Sequence, residues 1–595
     1  MTKLRFDLLA TLAPTLAGAC LFGGCVIPTM PDAGDDGGTD SAGTGDGGTG
    51  GDSTGGIPGD CTPLTQADVD VDATLPAGCY AVSTLLSISH RLDIEGGAEL
   101  YFASFAGLMV GNGGVLASVG ATENPVVMTA SGDAWLGVQM IGAASSDNRL
   151  AYTFVENAAE VGVAVGSTSR LTVEACEITG AGTVGMRADA GAEISVTGTV
   201  FAANALPLSV GIDVVEGIGT DNLFDGNDAQ FVEVVTGTLE DPATWVNPGV
   251  PLRMTGDARI ADALTVAEGV EIEMPQDSRF IVRETGSMTA SGSETDKVIF
   301  RGVQDERGYW DGISFESKTS ANVLSQCVVE NGGAGPWNGS GDSVGMIWLE
   351  ADSKATISDC LLRASDGPAV ATFGGTDISG FERNQFIDNR STLLVDPGIV
   401  HQIDASNSFM GNDEAFIRVG RETANNATIE EPATWQRLEI PYRIVERMFV
   451  DAAWTIEAGT EIEVGQDVSV HVRETGTLTA VGEDGNDIVI RGVEPLQGFW
   501  QGIEIASLSA ANQFDHVQFS NAGSHGFNGS GDSDGSLYIA GGSLAVSNSA
   551  FTESGGYGIV VWNDGALTGC TNVTFSGNAK ADVYVNPNGA TSACQ

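Results

Sequence analysis

Basic side chains are scarce in this sequence of 595 residues. It holds 26 Lys and Arg against 79 Asp and Glu, which gives a net charge of −53. So few cations cannot neutralise the phosphates of a nucleic acid or an anionic membrane surface, and neither is expected as a partner. The acidity favours solubility, association with cations and a location outside the cytoplasm.

Motifs of the common enzyme classes are also missing. There is no CxxC, no Cys/His zinc pattern and no HExxH, and neither a GxSxG segment nor a nucleotide-binding glycine pattern lies between a predicted strand and a predicted helix. A polygalacturonase-like site needs paired aspartates, and the only Asp-Asp pair is Asp35–Asp36. We therefore predict no catalytic residues and no cofactor. The histidines are scattered through the chain: His90, His401, His471, His516 and His525.

Long apolar runs are absent except at the N-terminus. "MTKLR" precedes an apolar stretch, and "LFGGC" ends at Cys25. This pattern resembles a bacterial lipoprotein signal, in which the cysteine after small residues is lipidated. We predict a signal peptide at residues 1–25 with Cys25 lipidated. Cys20 is the alternative acceptor, and an ordinary secretory signal is the alternative type.

The signal implies a location at the cell envelope, as an outer-membrane or cell-surface lipoprotein, with secretion to the exterior as the alternative. Lipid chains would then hold the protein at the membrane. Residues 26–60 follow as a linker rich in Gly and Asp, with almost no large apolar side chains. Such a segment cannot bury enough surface to offset its chain entropy, so we predict a flexible tether.

Three copies of one module make up the rest. "LDIEGGAELYF" (Leu92–Phe102), "LTVAEGVEIEM" (Leu264–Met274) and "WTIEAGTEIEV" (Trp454–Val464) are alike. The second and third copies match at a constant offset of 190, for example in "VRETG" at 282 and 472 and in Trp310 and Trp500. We place module 1 at residues 61–240, module 2 at 241–430 and module 3 at 431–595.

Short apolar clusters recur within the modules at spacings of 22 to 24 residues, bounded by Gly, Asn or Asp. This period predicts a coil of short strands that stack in parallel, because each coil can bury its inward residues only against its neighbours. In "NQFIDN" (Asn384–Asn389) and "NSFMGN" (Asn407–Asn412) we expect an inward Phe, and Asn at a bend, where Asn tolerates left-handed backbone.

Segments such as "PYRIVERMFVDAAWTIEAGTEIEV" and "GFWQGIEI" resemble the right-handed parallel β-helix repeat proteins, of the bacterial surface lipoprotein kind with a pectin-lyase-like fold. The resemblance implies an all-β solenoid built from the three modules. That fold hosts lyases, hydrolases, adhesins and inert spacers. We favour a structural, adhesive or glycan-binding role, and the alternative is a polysaccharide lyase or glycoside hydrolase acting on acidic polysaccharide. Whether the modules form one helix stays open.

Seven cysteines follow the signal. Two disulfides are predicted to fix the ends of the solenoid, Cys61–Cys79 and Cys570–Cys594. Cys327 and Cys360 occupy like positions in successive coils and either bond or fill the core. Cys176 is predicted to be a small buried side chain.

The hexapeptide "NGSGDS" occurs twice, each time in a nine-residue excursion absent from module 1, with an aromatic residue before it. An exposed ring beside Asn and Asp suits contact with sugars, while carboxylate and carbonyl groups suit calcium, and an inert loop is the third alternative. The metal content is therefore unknown, with calcium possible. The candidate residues are Trp337, Asn338 and Asp342 in module 2, and Phe527, Asn528 and Asp532 in module 3.

Overall fold

A computed structural model describes residues 58–132, 135–339, 343–421, 427–587 and 589–591. In these residues the chain forms a parallel β-solenoid of about 21 turns with 3% helix, which confirms the predicted fold class. At about 4.8 Å per turn the solenoid is about 100 Å long. The described helices are one α-helix, Gln66–Val69, and two 3₁₀ turns, Val215–Gly217 and Pro397–Gln402.

The strands of the described residues form seven sheets, numbered here for reference. Sheet 1 contains Thr62–Leu64, Gly78–Val82, Ala98–Phe102, Val126–Ala130, Thr153–Glu156, Glu177–Thr179, Val200–Ala202 and Leu223–Asp225. Sheet 2 contains Ala73–Leu75, Arg91–Glu95, Val115–Val119, Arg149–Ala151, Arg170–Glu174 and Glu193–Thr197. Sheet 3 contains Leu85–Ile88, Gly107–Val110, Val138–Met140, Val161–Val165, Val184–Ala188, Leu206–Gly211, Val232–Val235, Leu252–Met254, Glu271–Met274, Val298–Gly302, Cys327–Glu330, Leu361–Arg363 and Gln385–Ile387.

The other four sheets lie in modules 2 and 3, apart from the first strand of sheet 4 at the end of module 1. Sheet 4 contains Thr238–Leu239, Ala258–Ile260, Arg279–Val282, Gly312–Phe315, Ile347–Leu349, Pro368–Thr372, Ser391–Val395, Glu414–Val419, Tyr442–Ile444, Glu461–Val464, Ile488–Gly492, Val517–Ser520, Ala550–Thr552 and Thr574–Ser576. Sheet 5 contains Ala243–Trp245, Ala263–Val266, Ser287–Ser291, Val323–Ser325 and Thr356–Ser358. Sheet 6 contains Ala427–Ile429, Met448–Val450, Ser469–Val472, Gly502–Ile505, Gly535–Ala540, Tyr557–Trp562, Val583–Val585 and the antiparallel Gly589–Thr591. Sheet 7 contains Ala433–Trp435, Ala453–Ile456, Thr477–Val481, Gln513–Asp515, Ser543–Ser547 and Ala566–Thr571.

The sheets run across the module boundaries. Sheet 3 continues from module 1 into module 2, where Val232–Val235 pairs in parallel with Leu252–Met254. Sheet 4 continues from module 2 into module 3, where Glu414–Val419 pairs with Tyr442–Ile444. The described parts of the three modules therefore form one continuous solenoid.

Each module is turned relative to the one before it. A coil of module 1 visits sheets 1, 3 and 2 in order, a coil of module 2 visits sheets 3, 4 and 5, and a coil of module 3 visits sheets 4, 6 and 7. The equivalent strands Ala98–Phe102, Glu271–Met274 and Glu461–Val464 thus lie in sheets 1, 3 and 4. Because the second sheet of one module becomes the first sheet of the next, equivalent residues move one face further around the solenoid.

The tryptophan repeated in all three modules anchors each module to its own core. The three indole rings are completely buried. Each indole Nε1 donates a hydrogen bond to a backbone carbonyl further along the chain: Trp135 to Glu156 (2.8 Å), Trp310 to Glu330 (2.8 Å) and Trp500 to Ser520 (2.9 Å). A buried indole that satisfies its only donor explains why this residue persists in every copy.

Asparagine ladders form at the bends, as the NxFxxN segments predict. The backbone N–H of Asn384 donates to the side-chain oxygen of Asn407 at 2.9 Å, and Phe386 is buried beside them. The left-handed backbone, however, belongs to the residues before the asparagines, Arg383 (φ 55°) and Asp388 (φ 58°). The asparagine side chains instead satisfy the backbone groups that such a bend leaves unpaired.

The first coil is closed at its N-terminal edge. The amide of Gln66 donates to the carbonyl of Ser87 and accepts from its N–H, both at 2.8 Å, in place of a neighbouring strand. The predicted Cys61–Cys79 disulfide is present in this coil, with the Cα atoms 4.6 Å apart.

The structure answers some of the open questions about the other cysteines. Cys327 and Cys360 form a disulfide, which decides between the two alternatives left by the sequence. Cys176 is buried, and burial raises the pKa of its thiol to about 11. Cys570 is disulfide-bonded. Cys594 lies outside the described residues, so the Cys570–Cys594 pair remains a prediction.

We expect Asn389→Ala to destabilise the solenoid by about 1–3 kcal/mol. The buried Asn389 accepts from the N–H of Ser365 at 3.0 Å and donates to the carbonyl of Leu362 at 2.9 Å, and its loss leaves both groups unpaired. Urea unfolding followed by circular dichroism measures the change. Asn112→Ala is the matched control, because Asn112 is exposed in a turn and its backbone is not left-handed. Equal midpoints for the two variants would contradict the prediction.

Candidate functional site

The two NGSGDS loops lie at different corners of the solenoid. The first leads from Cys327–Glu330 in sheet 3 to Ile347–Leu349 in sheet 4. The second leads from Val517–Ser520 in sheet 4 to Gly535–Ala540 in sheet 6. Along sheet 4 the loops are seven strand steps apart, or about 34 Å at 4.8 Å per step. They therefore cannot contribute to one shared site.

Both loops are closed by the last serine of the hexapeptide. The hydroxyl of Ser343 accepts from the N–H of Asn338 at 3.1 Å, and the hydroxyl of Ser533 accepts from the N–H of Asn528 at 3.2 Å. Both serines are buried, whereas both asparagines are exposed. Self-closure gives the hexapeptide a structural reason to stay unchanged in both copies. Asp342 lies outside the described residues.

The aromatic residues of these loops fold back onto the solenoid, so the expectation of exposed rings is wrong. Trp337 is half-buried and packs on a small apolar cluster outside the core that contains Trp348 and Leu394. Phe527 is also half-buried and stacks on Tyr538 with the ring centroids 5.2 Å apart. Each loop thereby covers apolar side chains on the outer face of a sheet.

A cationic side chain occupies the polar groups of the second loop. The ammonium of Lys580 donates to the carbonyl of Gly531 and to the carboxylate of Asp534, at 2.7 Å for the latter. These oxygens are the type that calcium would use. Asp532 is exposed beside them, and the described part of the chain holds no cluster of three or more His, Cys, Asp or Glu that could bind a metal. These contacts give no support to the alternative that the second loop binds calcium.

An aromatic row runs along the outer face of sheet 6 in module 3. We define it as Phe449, His471, Phe527, Tyr538, Trp562 and Tyr584. Successive ring centroids are 5.4, 5.8, 5.2, 6.2 and 6.4 Å apart. The strand residues stand in successive coils, except that Glu504 occupies the coil between His471 and Tyr538. Phe527 reaches the row at this coil from the second NGSGDS loop. Tyr538 is buried and the other five rings are half-buried.

Equivalent faces of the other modules also carry apolar side chains outside the core. In module 2 the equivalent face is sheet 4, with Trp348, Trp337 and Phe373. In module 1 it is sheet 3, where a groove of about 550 Å³ is lined partly by the exposed Phe105 and Ile141. Because each module is turned by one face, these apolar surfaces follow a helical path around the solenoid.

A ladder of opposite charges occupies the outer face of sheet 3 in module 2. Glu273, whose side chain is only 5% exposed, accepts from Arg253 at 2.7 Å and from Arg301 at 2.8 Å. The same ladder recurs 190 residues later, where Glu463 accepts from two arginines in sheet 4: Arg443 at 2.6 Å and Arg491 at 2.9 Å. Lyase chemistry needs a base free to remove a proton, and these arginines are all held in ion pairs.

The polar centre of the aromatic row was not recognised from the sequence. His471 Nδ1 lies 2.6 Å from a carboxylate oxygen of Glu504, and the two residues pair across neighbouring strands. The sequence did not reveal this pair because His471 and Glu504 are 33 residues apart, whereas the apolar clusters recur every 22 to 24 residues. The larger separation arises because this coil includes a longer connection.

No protein-family model matches the chain, and a search of the curated proteins finds no match. The fold and the side-chain geometry are therefore the observations on which a function has to rest.

We expect Arg279→Ala to loosen the first NGSGDS loop and leave the second unchanged. Arg279 donates to Asp311 at 2.6 Å and to the carbonyl of Pro336 at 3.1 Å. Burial raises the pKa of Asp311 and the guanidinium opposes the rise, so removal of Arg279 leaves a poorly solvated acid. In module 3 the equivalent position holds Ser469.

Hydrogen exchange measures this change, since the amide of Trp337 bonds to the carbonyl of Ser343 and should exchange at least about tenfold faster. Arg283→Ala is the matched control, because Arg283 is half-exposed and pairs only loosely with Glu316, at 3.4 Å. Unchanged exchange at residues 331–345 in Arg279→Ala would show that the arginine does not hold the loop.

Proposed function

We propose that this chain is an exported, lipid-anchored β-helix protein that binds glycans along the aromatic row of module 3. The row itself is the observation that carries the proposal. Sugar rings have apolar faces that stack on aromatic rings, and a row of rings on parallel coils offers successive stacking positions at a regular spacing.

Polar groups beside the rings are suited to sugar hydroxyls. Tyr538 receives a hydrogen bond from the amide of Asn528 at 3.0 Å, and Glu504 lies at the middle of the row. A phenol, an amide and a carboxylate can each donate to or accept from hydroxyl groups. Stacking together with directional hydrogen bonds is the usual composition of a specific small-ligand surface.

The charges around the row favour neutral glycans over acidic ones. The cations next to it are already paired, Arg473 with Asp451 at 2.9 Å and Lys580 with Asp534 at 2.7 Å. The chain as a whole carries a net charge of −53, which repels polyanions. We therefore propose a neutral polysaccharide as the ligand rather than the acidic polysaccharide that a lyase would require.

The disulfides Cys61–Cys79 and Cys327–Cys360 support export, because disulfides form and persist in oxidising compartments. The described ranges contain no helix that is long and apolar enough to cross a membrane. A lipid on Cys25, which lies outside those ranges, would supply the attachment, and the linker at 26–60 would separate it from the solenoid.

Lipid attachment at Cys25 is tested by expression in a bacterium fed an alkyne fatty acid. We expect labelling of the full-length protein and its recovery in the membrane fraction. Cys25→Ser should abolish both, because the acceptor thiol is gone, and the matched control Cys20→Ser should change neither. Labelling that survives in Cys25→Ser but not in Cys20→Ser would move the anchor to Cys20.

Glycan binding is tested with a panel of neutral and acidic polysaccharides and the purified solenoid. We expect the double variant Trp562→Ala/Tyr584→Ala to weaken binding to a neutral polysaccharide by at least about tenfold, or about 1.4 kcal/mol, because stacking positions are lost. Leu508→Ala is the control, since Leu508 is 73% exposed and lies outside the row. Thermal unfolding confirms that each variant is folded. Binding that is equal in the double variant and the wild type would remove the proposal.

A further inference from the structure

Three polar side chains at the centre of the aromatic row are linked in a chain of hydrogen bonds. Ser469 and His471 alternate on the outer face of the strand Ser469–Val472, and Glu504 stands opposite His471 on the next coil. Ser469 Oγ lies 2.9 Å from His471 Nε2, and His471 Nδ1 lies 2.6 Å from Glu504 Oε2. Each imidazole nitrogen therefore has one partner.

The order of the partners fixes the tautomer of the imidazole. A carboxylate can only accept, so His471 Nδ1 carries the proton and donates it to Glu504. The lone pair of Nε2 then accepts the hydroxyl proton of Ser469. A hydroxyl held on the basic nitrogen of an imidazole that is itself oriented by a carboxylate is the arrangement of serine hydrolases, and it recurs on unrelated folds.

We propose that Ser469, His471 and Glu504 form a hydrolytic triad that cleaves short-chain carboxylic esters. Ser469 Oγ attacks the ester carbonyl carbon while its proton passes to His471 Nε2. The imidazolium then gives that proton to the departing alkoxide as the ester C–O bond breaks. A water molecule then gives a proton to the same nitrogen and attacks the acyl carbon. The bond from that carbon to Ser469 Oγ breaks, Oγ takes the proton back from His471, and the carboxylic acid leaves, while Glu504 orients His471 throughout.

Module repetition does not explain the triad. The equivalent positions of module 2 hold Arg279, Ile281 and Ser314, which contain neither an imidazole nor a carboxylate. Arg279 reaches out to the carbonyls of its own NGSGDS loop, whereas the much shorter Ser469 reaches only its histidine. All three positions differ between the copies, so this group of side chains is a property of module 3 alone.

The second NGSGDS loop covers the triad. The ring of Phe527 meets the ring of His471 edge-on, with centroids 5.8 Å apart and planes at 81°. Ser469 is 1% exposed, while the side chain of His471 is 18% exposed. The nucleophile is thus buried, and we expect an ester to reach it after the loop that carries Phe527 moves away from His471. Loop opening of this kind commonly controls access to a catalytic site.

The substrate class follows from the position of the triad within the aromatic row. Because His471 stands within the row, a glycan lying along the row would place an acyl group on one of its hydroxyls close to Ser469. We therefore assign O-acylated sugars as the substrate class, a choice that rests on the proposed glycan binding. The hydrolytic triad itself does not depend on it.

A fluorophosphonate probe tests the triad, because it contains no sugar and reacts with activated serines. We expect peptide mass spectrometry to find the adduct on Ser469, and hydrolysis of p-nitrophenyl acetate to accompany it. Phe527→Ala should raise the rate of labelling by about tenfold or more, since it uncovers the serine. His471→Gln should lower it by about a thousandfold or more, to the uncatalysed rate.

Two comparisons separate catalysis from structure. Glu504→Gln should lose labelling and Glu504→Asp should recover part of it, because a carboxylate rather than mere volume orients His471. Ser209→Ala should label as wild type, since Ser209 bonds to Glu233 at 2.9 Å on another face and has no histidine partner.

Thermal unfolding checks that every variant is folded. The proposal fails if Ser469 stays unlabelled in both the wild type and Phe527→Ala, or if labelling persists in His471→Gln. Probe labelling without polysaccharide binding would retain the triad and reject only the glycan as its substrate.

Discussion

Parallel hydrogen bonding between successive coils is the constraint on which this structure depends. Each strand finds its partners one coil before and one coil after, so the length of every coil decides which side chains meet. The stacking of Asn384 on Asn407 follows from it, and so does the binding of Glu273 by two arginines. No coil has a core of its own. A buried group that loses its hydrogen-bonding partner therefore destabilises the coils on both sides.

The turn of one face at each module boundary has the largest consequence for function. A repeat that stacked directly would align its three copies along one face and place equivalent loops in a line. Here the sheet that is second in one module becomes first in the next, and the two NGSGDS loops lie at different corners. Among the described residues, only the loop of module 3 covers an aromatic row with a polar centre, so the same hexapeptide lies in different chemical surroundings in the two modules.

Much of the fold was predictable because its signals are local and repeated. The recurring apolar clusters predicted coils, the NxFxxN segments predicted stacked asparagines, and the early cysteines predicted the Cys61–Cys79 bridge. The candidate site was less predictable. The rings of Trp337 and Phe527 fold back because apolar side chains on the neighbouring sheets offer them a surface, and the sequence does not state which sheets are neighbours.

The amino-acid sequence by itself determined the solenoid, its three modules and the type of residue at each bend, because these depend on periodicities that every coil repeats. Only the tertiary structure decided that the modules share sheets, that each is turned by one face, and that His471 meets both Ser469 and Glu504. The physical reason is register. Partners across coils are set by the summed lengths of turns and loops, and a single longer connection moves a partner from 24 residues away to 33.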